Sequence, residues 1–568
     1  MGLLDPRLPA YDLAQWRSLP TRERLRVQCG TWTTHGFGAR WPIYFVYLVK
    51  VVVFALGWAL FVTRTDGVGG LADIADWWLL PGSFVKAVLW ATLFEGLGFG
   101  CGSGPLTGRY VPPFVAFTHF LRPGTTRLAP WPEHNPLAMG HRRTLADVFL
   151  YAAMVVLLLR ALAAGEVTTA MVLPIVACVI VLGLRDKAAF LIFRSEHYML
   201  TLLVFVVASN QTDFVSGAKA VQLAIWWGAA TSKINHHFPS VVAVMISNAP
   251  LVPASVKRRM FVAAPHDMRP SPLAATVAHG GTVIEYLFPL VLVLSSGGLA
   301  TNIALAVMLS FHVFIMVSVA LGVPTEWNLF FIYSMFVLFG EFASTSIMDV
   351  RNVAIIALLV LALIGLPVLG NMRPDLVSFL PAMRYYAGNW PTSQWLFRKG
   401  AFERLDEHLV KTSKTTRAQL GVFYDDITCE FLLGKVGTFR GLHLHGRLFS
   451  ELTPRAVADV EHVDLEDYEV IDGELVCGLA LGWNFGDGHL HDEQLLAAIQ
   501  AQVGFAPGEL RAVMIEAQPM GKPGWSWRIV DAATGEVERG TANVADFLDR
   551  QPWDMTGDEA VIGIEVKR

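Results

Sequence analysis

The sequence predicts an all-α polytopic membrane bundle of about ten transmembrane helices, followed by a C-terminal cytoplasmic α+β domain. Three observations predict it. Apolar runs of bilayer length recur between residues 41 and 370, Lys and Arg alternate from one connection to the next, and the composition becomes ordinary after residue 373. Over the whole chain 54% of residues are hydrophobic and 16% charged, against roughly a quarter charged in ordinary globular domains. The expected segments are a cytoplasmic leader (1–40), a transmembrane helical domain (41–370), a linker at the membrane surface (371–400) and a soluble α+β domain (401–568).

The leader carries Arg7, Arg17, Arg22, Arg24, Arg26 and Arg40. Residues 10–30 read as an amphipathic helix on the inner membrane surface, with Trp16 at the interface, or as a solvated basic leader. About forty fairly polar residues precede the first apolar run, so no cleavable signal peptide is expected and insertion begins with that run.

A helix needs about 20 apolar residues to cross a bilayer core, because nothing there can hydrogen-bond an open backbone. Windows that meet or approach this lie at 41–63, 83–100, 146–164, 167–185, 197–213, 217–233, 272–295, 299–322, 327–345 and 351–370. The second, fifth and sixth are short or interrupted by polar residues. The connection at 65–82 has Asp66, Asp73 and Asp76 without Lys or Arg, and the next has Arg109, Arg122, Arg127, Arg142 and Arg143. A bare turn near Glu166 precedes Arg185, Lys187 and Arg194. Another, at 210–216, precedes Lys257, Arg258, Arg259 and Arg269. This alternation fits an even number of spans with both termini on the cytoplasmic side of the cell membrane. The 111–143 connection, rich in Pro and aromatic residues, is expected to pack against the membrane face.

In the soluble part, VIDGELVCGLALGWNFGDG alternates like a strand and LRAVMIEAQP reads as a buried strand. WSWRIVDAATGEVERGTANV reads as a hairpin. DEQLLAAIQAQV reads as a helix with Asp492 near its start. The net charge of -4 says nothing about nucleic acid, and with no long basic tract to support that partner none is expected. Five scattered cysteines without a CxxC pair exclude a disulfide framework and a zinc knuckle. No P-loop, dinucleotide fingerprint, GxSxG elbow or HExxH helix occurs, so no cofactor is named by motif.

Ionisable groups inside a bilayer are costly and each is a functional candidate. The densest group is TSKINHHFP. On a continuous helix Lys233, His236 and His237 share one face, where Lys233 serves as a general base or holds an anionic head group. The competing reading is a span end whose cations snorkel to the basic surface. Glu95, His279, Glu285 and His312 lie inside other windows. Glu95 opens the glycine-rich FEGLGFGCGSGPLTG, which serves close backbone approach or helix packing. His279 and Glu285 point about 120° apart on one helix, so His312 on the next span is a candidate partner for one of them. Four such groups imply an interior polar cavity. In the soluble part His443/His445 and His489/His491 form two H-x-H pairs. On a strand each pair offers two imidazoles to a metal, with Asp487, Asp492 and Glu493 nearby, whereas GDG more simply makes a turn.

The combination GFGCGSGPL, FLRPGTTRLAPWP, AHGGTVIEYLFP, YYAGNWP and GWNFGDGHLH resembles a group of long transmembrane proteins of mycobacteria and related actinobacteria without an assigned function. That resemblance covers nearly the whole chain. It implies an inner membrane in a lipid-rich envelope and supplies no catalytic residues. WWGAATSKINHHF, HGGTVIEYLFPLVL and FHVFIMVSVALG also resemble the membrane domain of vitamin K-dependent carboxylases. There a membrane Lys acts as base toward a quinol, which by position implies Lys233. The large extracytoplasmic domain of that family is missing here.

These readings converge on a membrane-embedded enzyme acting on a lipid- or quinone-like substrate in a polar intramembrane cavity. The alternative is a non-catalytic lipid transporter or scaffold. The expected partners are membrane lipids and a cytoplasmic protein docking on the C-terminal domain.

Overall fold

The computed structural model describes residues 6–8, 12–114, 116–318, 325–483, 487–554 and 564–567. The protein is mostly helical (59%) with a separate sheet region. Five helices are long and apolar enough to cross a membrane: Trp41–Val62, Leu145–Ala163, Pro272–Leu294, Gly298–Ser318 and Val353–Met372. Leu71–Trp77 and Pro81–Gly96, bent by 114° at their junction, make a sixth if taken as one span.

On length and composition the count thus falls short of the ten expected, for local reasons. Thr169–Arg185 has 17 residues. The apolar helix Ser195–Val207 is shorter still. Gln211–Ser232 has 22 residues, but Asp213, Lys219 and Gln222 lower its apolarity. Thr325–Met335 gives way to a π turn at Phe336–Glu341.

Nor is the molecule a clean all-α bundle. β1 (Phe261–Ala263) and β2 (Asp267–Pro270) pair as an antiparallel hairpin just before the Pro272–Leu294 helix. A second, six-stranded sheet comprises β3 (Thr392–Arg398), β4 (Tyr468–Asp472), β5 (Leu510–Ile515), β6 (Gly524–Asp531), β7 (Gly535–Asn543) and β8 (Ile564–Lys567). Its order is β4-β3-β5-β6-β7-β8, antiparallel throughout. β5 is buried along its whole length, and β6–β7 form the hairpin expected around DAATGEV. Glu493–Val503 is a helix whose first turn is capped by Asp492, with the Gln494 amide donating to the carboxylate at 2.9 Å.

VIDGELVCGLALGW departs from its expected strand. After β4 the chain turns into the helix Gly473–Leu481, because Asp472 caps it, accepting from the Glu474 amide at 2.9 Å. Every residue of that helix except Glu474 is buried, so its apolar pattern carries no period to distinguish helix from strand.

The helix ends sort into two faces. The basic connections and the leader all touch the C-terminal region. Arg122 donates to the Lys411 carbonyl (2.7 Å) and Gln494 to that of Ala129 (2.9 Å). Lys187 pairs with Asp492 (3.0 Å), Arg269 with Asp549 (3.2 Å), and Arg17 and Arg24 with Glu430 (2.9 Å each). The arginine-poor turns meet at the other face. The Asp66 amide donates to the Gly165 carbonyl (2.9 Å), Asn352 to Val207 (2.9 Å) and Ser216 to Ser346 (2.7 Å). Trp16 does not face a membrane interface; it is buried edge-on against Phe431, with ring centroids 5.1 Å apart. One hydrophobic core runs from Phe54 and Phe94 through Trp327 to Trp483 and Leu495. A second, under the sheet, gathers Leu448, Trp525, Trp527 and Phe547.

Candidate functional site: a buried Lys–Glu pair in an apolar cavity

The Gln211–Ser232 helix stops at Ser232, with Lys233 as its C-cap. The stop is encoded locally. The side-chain oxygen of Asn235 accepts from the amides of His237 (2.8 Å) and Phe238 (3.0 Å), and Pro239 opens the next helix, Phe238–Asn248. Lys233, His236 and His237 therefore do not share a face. Lys233 turns into a cavity, His236 is exposed, and His237 is buried toward the C-terminal region. There its Nε2 lies 3.1 Å from Gln518 Oε1, and its ring stacks on His445 with centroids 5.3 Å apart.

The cavity holds about 110 Å³ and is walled by Phe238, Phe311, Trp327, Phe331 and Tyr385. Within it Lys233 Nζ donates to Glu285 Oε2 at 2.6 Å. The ammonium also lies 5.5 Å and 5.9 Å from the ring centroids of Phe238 and Phe311, within cation–π range. His312 lines the same cavity. Trp226 Nε1–H donates to its Nε2 at 3.0 Å, so the proton sits on Nδ1, which donates to Asn328 Oδ1 at 2.8 Å. With both nitrogens engaged, this imidazole is neutral and fixed. It builds the wall rather than offering a free base.

One side of the cavity is thin. At Gly281 an added Cβ would meet only the Phe311 ring, at 3.7 Å, and Phe314 is 41% exposed. The gap lies between Pro272–Leu294 and Gly298–Ser318, two membrane-length helices. His279, on the first of them, faces outward and is exposed.

Glu95 belongs to a different centre. The Pro81–Gly96 helix ends in the glycine-rich loop, which wraps over the carboxylate so that the Cys101 amide donates to Glu95 Oε2 at 3.0 Å. A Cβ at Gly100 would fall 1.9 Å from that oxygen, so only glycine fits. Arg194 Nε stands 3.5 Å from Glu95 Oε1, and Lys50 Nζ stands 2.8 Å from Glu326 Oε2. Among the described residues, Glu95, Cys101 and Glu326 are the one His, Cys, Asp or Glu group whose ligand atoms gather within 4.8 Å. Arg194 and Lys50 stand against Glu95 and Glu326, and the buried Glu196 adds a third carboxylate that faces Arg194. Trp327 joins the two centres, since it lines the Lys233 cavity and carries the Arg194 guanidinium 4.7 Å above its ring.

Sequence reasoning missed Lys50 and Glu326 and counted Arg194 among the connection cations, whereas its side chain is fully buried between Glu95 and Trp327. A signal existed for Lys50, the lone cation inside WPIYFVYLVKVVVFALGW.

The two H-x-H pairs stand on helix starts and turns, not on strands. His443 caps the Leu444–Arg455 helix and donates from Nδ1 to the Phe439 carbonyl at 2.5 Å; burial pushes it down to about 3. His445 stacks against His237 and Trp525. His489 lies in the turn Gly488–Leu490, with Nε2 3.0 Å from Glu516 Oε2. His491 Nδ1 lies 2.6 Å from Ser393 Oγ. Each imidazole thus has its own neighbours. Asp487 and Asp492 cap the turns that follow them, and Glu493 pairs with Arg528 at 3.0 Å.

Membrane-length apolar helices that enclose charged side chains define a multi-pass membrane protein. The chain belongs to the family described as transmembrane protein of unknown function (DUF3556), which matches residues 1–563. No curated protein and no solved structure matches it.

Proposed function

We propose that the protein is a membrane-embedded enzyme acting on a lipid- or quinone-like amphiphile in the Lys233 cavity. The observation that carries this reading is the amine–carboxylate contact of 2.6 Å inside an apolar chamber with a thin side toward lipid. A buried ion pair is rarely the most stable way to fill such a space, since apolar residues of similar volume usually do as well or better. Intramembrane pairs therefore mark function by default. Glu285 takes a proton from Lys233, leaving an amine that acts as a base toward an acidic hydroxyl, or the ammonium holds an anionic head group. The aromatic walls suit a flat ring or an alkyl chain, and the gap beside Gly281 gives an entrance from the bilayer.

The same proposal places the chain in the cell membrane with about ten crossings, both termini and the C-terminal region cytoplasmic, and membrane lipids as its partners. Support comes from the gathering of the arginine-rich connections on the face that carries the sheet.

The test is lipid analysis of a deletion strain complemented with wild type, Lys233→Met or Lys233→Arg at equal protein level. A base requires that both variants accumulate the same precursor as the deletion, because methionine accepts no proton and guanidinium does not release one. An anion holder is restored by Arg and not by Met. Full complementation by Met ends the catalytic reading. A lipid that is misplaced without any precursor accumulating assigns the protein to lipid transport.

A further inference from the structure

We infer that a second ligand site lies outside the membrane cavity, and that it takes a single-chain amphiphile with an anionic head. It is the cleft between the Thr21–His35 helix, the Asp426–Gly441 helix and strands β3–β4, which holds about 600 Å³. Leu433, Asp472 and Leu475 line this cleft and also a narrow pocket of about 50 Å³ beneath it. That pocket is walled by Leu106, Phe379, Leu432, Val436 and Phe439, which suits a hydrocarbon chain.

Two further observations point to an occupant. The first is Gly437, inside the Asp426–Gly441 helix and on the cleft wall. Its helix-mates Gly434 and Gly441 have packing reasons, because a Cβ there would meet Gln28 at 2.2 Å and Leu25 at 3.2 Å. At Gly437 an added Cβ would meet nothing within 4 Å. Glycine weakens a helix interior, and here neither backbone nor packing requires it. What the missing side chain leaves is room in the cleft.

The second observation is charge. Arg17, Arg24 and Arg417 are fully engaged by Glu403, Asp426, Glu430, Glu466 and Glu469. Arg22 and Lys399 also line the cleft, and among the described residues neither is in an ion pair. Glu451, the acid whose field Arg22 reaches, is held by Arg550 at 3.4 Å. A carboxylate or phosphate head finds its partners in these two unpaired cations, and its chain continues into the apolar pocket. The site is independent of the Lys233 reading.

The experiment uses the full-length protein in detergent, a long-chain fatty acid carrying a diazirine near its end, and a matching alkyl phosphate. After irradiation, cross-links are mapped by mass spectrometry. Labelling is expected on peptide 426–441, with palmitate competing and acetate or inorganic phosphate not competing. Whichever probe labels at lower concentration names the head group. Gly437→Leu fills the cleft and should lower labelling at least about tenfold at unchanged thermal midpoint. If that variant fails to fold, Arg22→Gln with Lys399→Gln is read instead and should weaken labelling several-fold. Labelling confined to 272–318, or untouched by both sets of variants, overturns the proposal. So does competition by acetate or phosphate as strong as that by palmitate, which would leave only a small-anion site.

Discussion

At the residue scale the question is what Lys233 and Glu285 are worth to the fold as opposed to the function. Both are almost fully buried, and each is the other's counter-charge at 2.6 Å. Removing one partner leaves a charged group alone in an apolar chamber, which costs about 3–5 kcal/mol, while removing both together costs little or nothing. We predict that Lys233→Met and Glu285→Leu each lower the thermal midpoint in detergent, and that the double variant recovers most of the loss. The recovered variant should remain inactive in complementation. A double variant that regains activity would reduce the pair to a structural strut. The sequence exposed this pair only in part. It named Lys233 and Glu285 singly, because span windows give depth, but contact between two spans depends on rotation about their axes. His236 and His237 were placed beside Lys233 on the premise of a continuous helix. The Asn235 and Pro239 signals that break it were already legible.

At the scale of elements, buried lysines recur as caps. Lys86 donates to the carbonyls of Phe61 and Ala164, Lys219 to those of Phe342 and Thr345, and Lys435 to those of Gly36 and Phe37. Each satisfies carbonyls at or beyond a helix end, so a lysine at depth need not signal chemistry. Span windows cannot distinguish Lys86 and Lys219 from Lys233, because the distinction lies in the partner.

A titrating joint connects two other elements. His489, in the turn Gly488–Leu490, holds Glu516, the residue after β5. Burial alone would lower the imidazole, but the carboxylates of Glu516 and Asp487 outweigh it and hold it above 6.5. Burial would raise Glu516, yet His489 and the Ala517 amide bring it below 4.5. A raised His contributes stability below its unfolded value that is lost as pH rises through the folded one. A depressed Glu contributes above its unfolded value and loses it as pH falls. The joint is therefore firmest between about 4.5 and 6.5. Thermal midpoints should fall from pH 6 toward pH 8, and Glu516→Gln should flatten that slope. An unchanged slope in the variant would remove this pair as the cause. The expected strand in this region became a helix because complete burial erases periodicity, and with His443 and His445 at a helix start and His489 and His491 in and beside a turn, the shared face of a strand does not apply to them.

At the scale of the molecule, hydropathy and charge pattern gave different depths of knowledge. Five apolar helices stand out by length, whereas the shorter or more polar ones were resolved in sequence only by the arginines between them. That charge pattern predicts which connections share a side, and the contacts supply an independent criterion. Arg122 reaches Lys411, Lys187 reaches Asp492 and Arg269 reaches Asp549, so connections far apart in sequence converge on one C-terminal region. Asp66 with Gly165, and Asn352 with Val207, converge at the opposite end. On the proposed topology each helix between these groups carries the chain from one face to the other, including the 17-residue Thr169–Arg185, whose rise of about 26 Å nearly covers a bilayer core. Cysteine labelling in intact cells should therefore reach the exposed positions 70, 212 and 298 with an impermeant reagent. Positions 130, 190, 259 and 450 should react only after permeabilisation. If the shorter helices are re-entrant or lie on the surface, 212 changes sides relative to 70, and the count of about ten falls with it. Labelling at 450 from outside would invert the assignment of the C-terminal region. Because residues 122, 187 and 269 contact that region directly, their neighbours at 130, 190 and 259 would have to invert together with it. A mixed result among these four positions is the outcome that neither orientation permits.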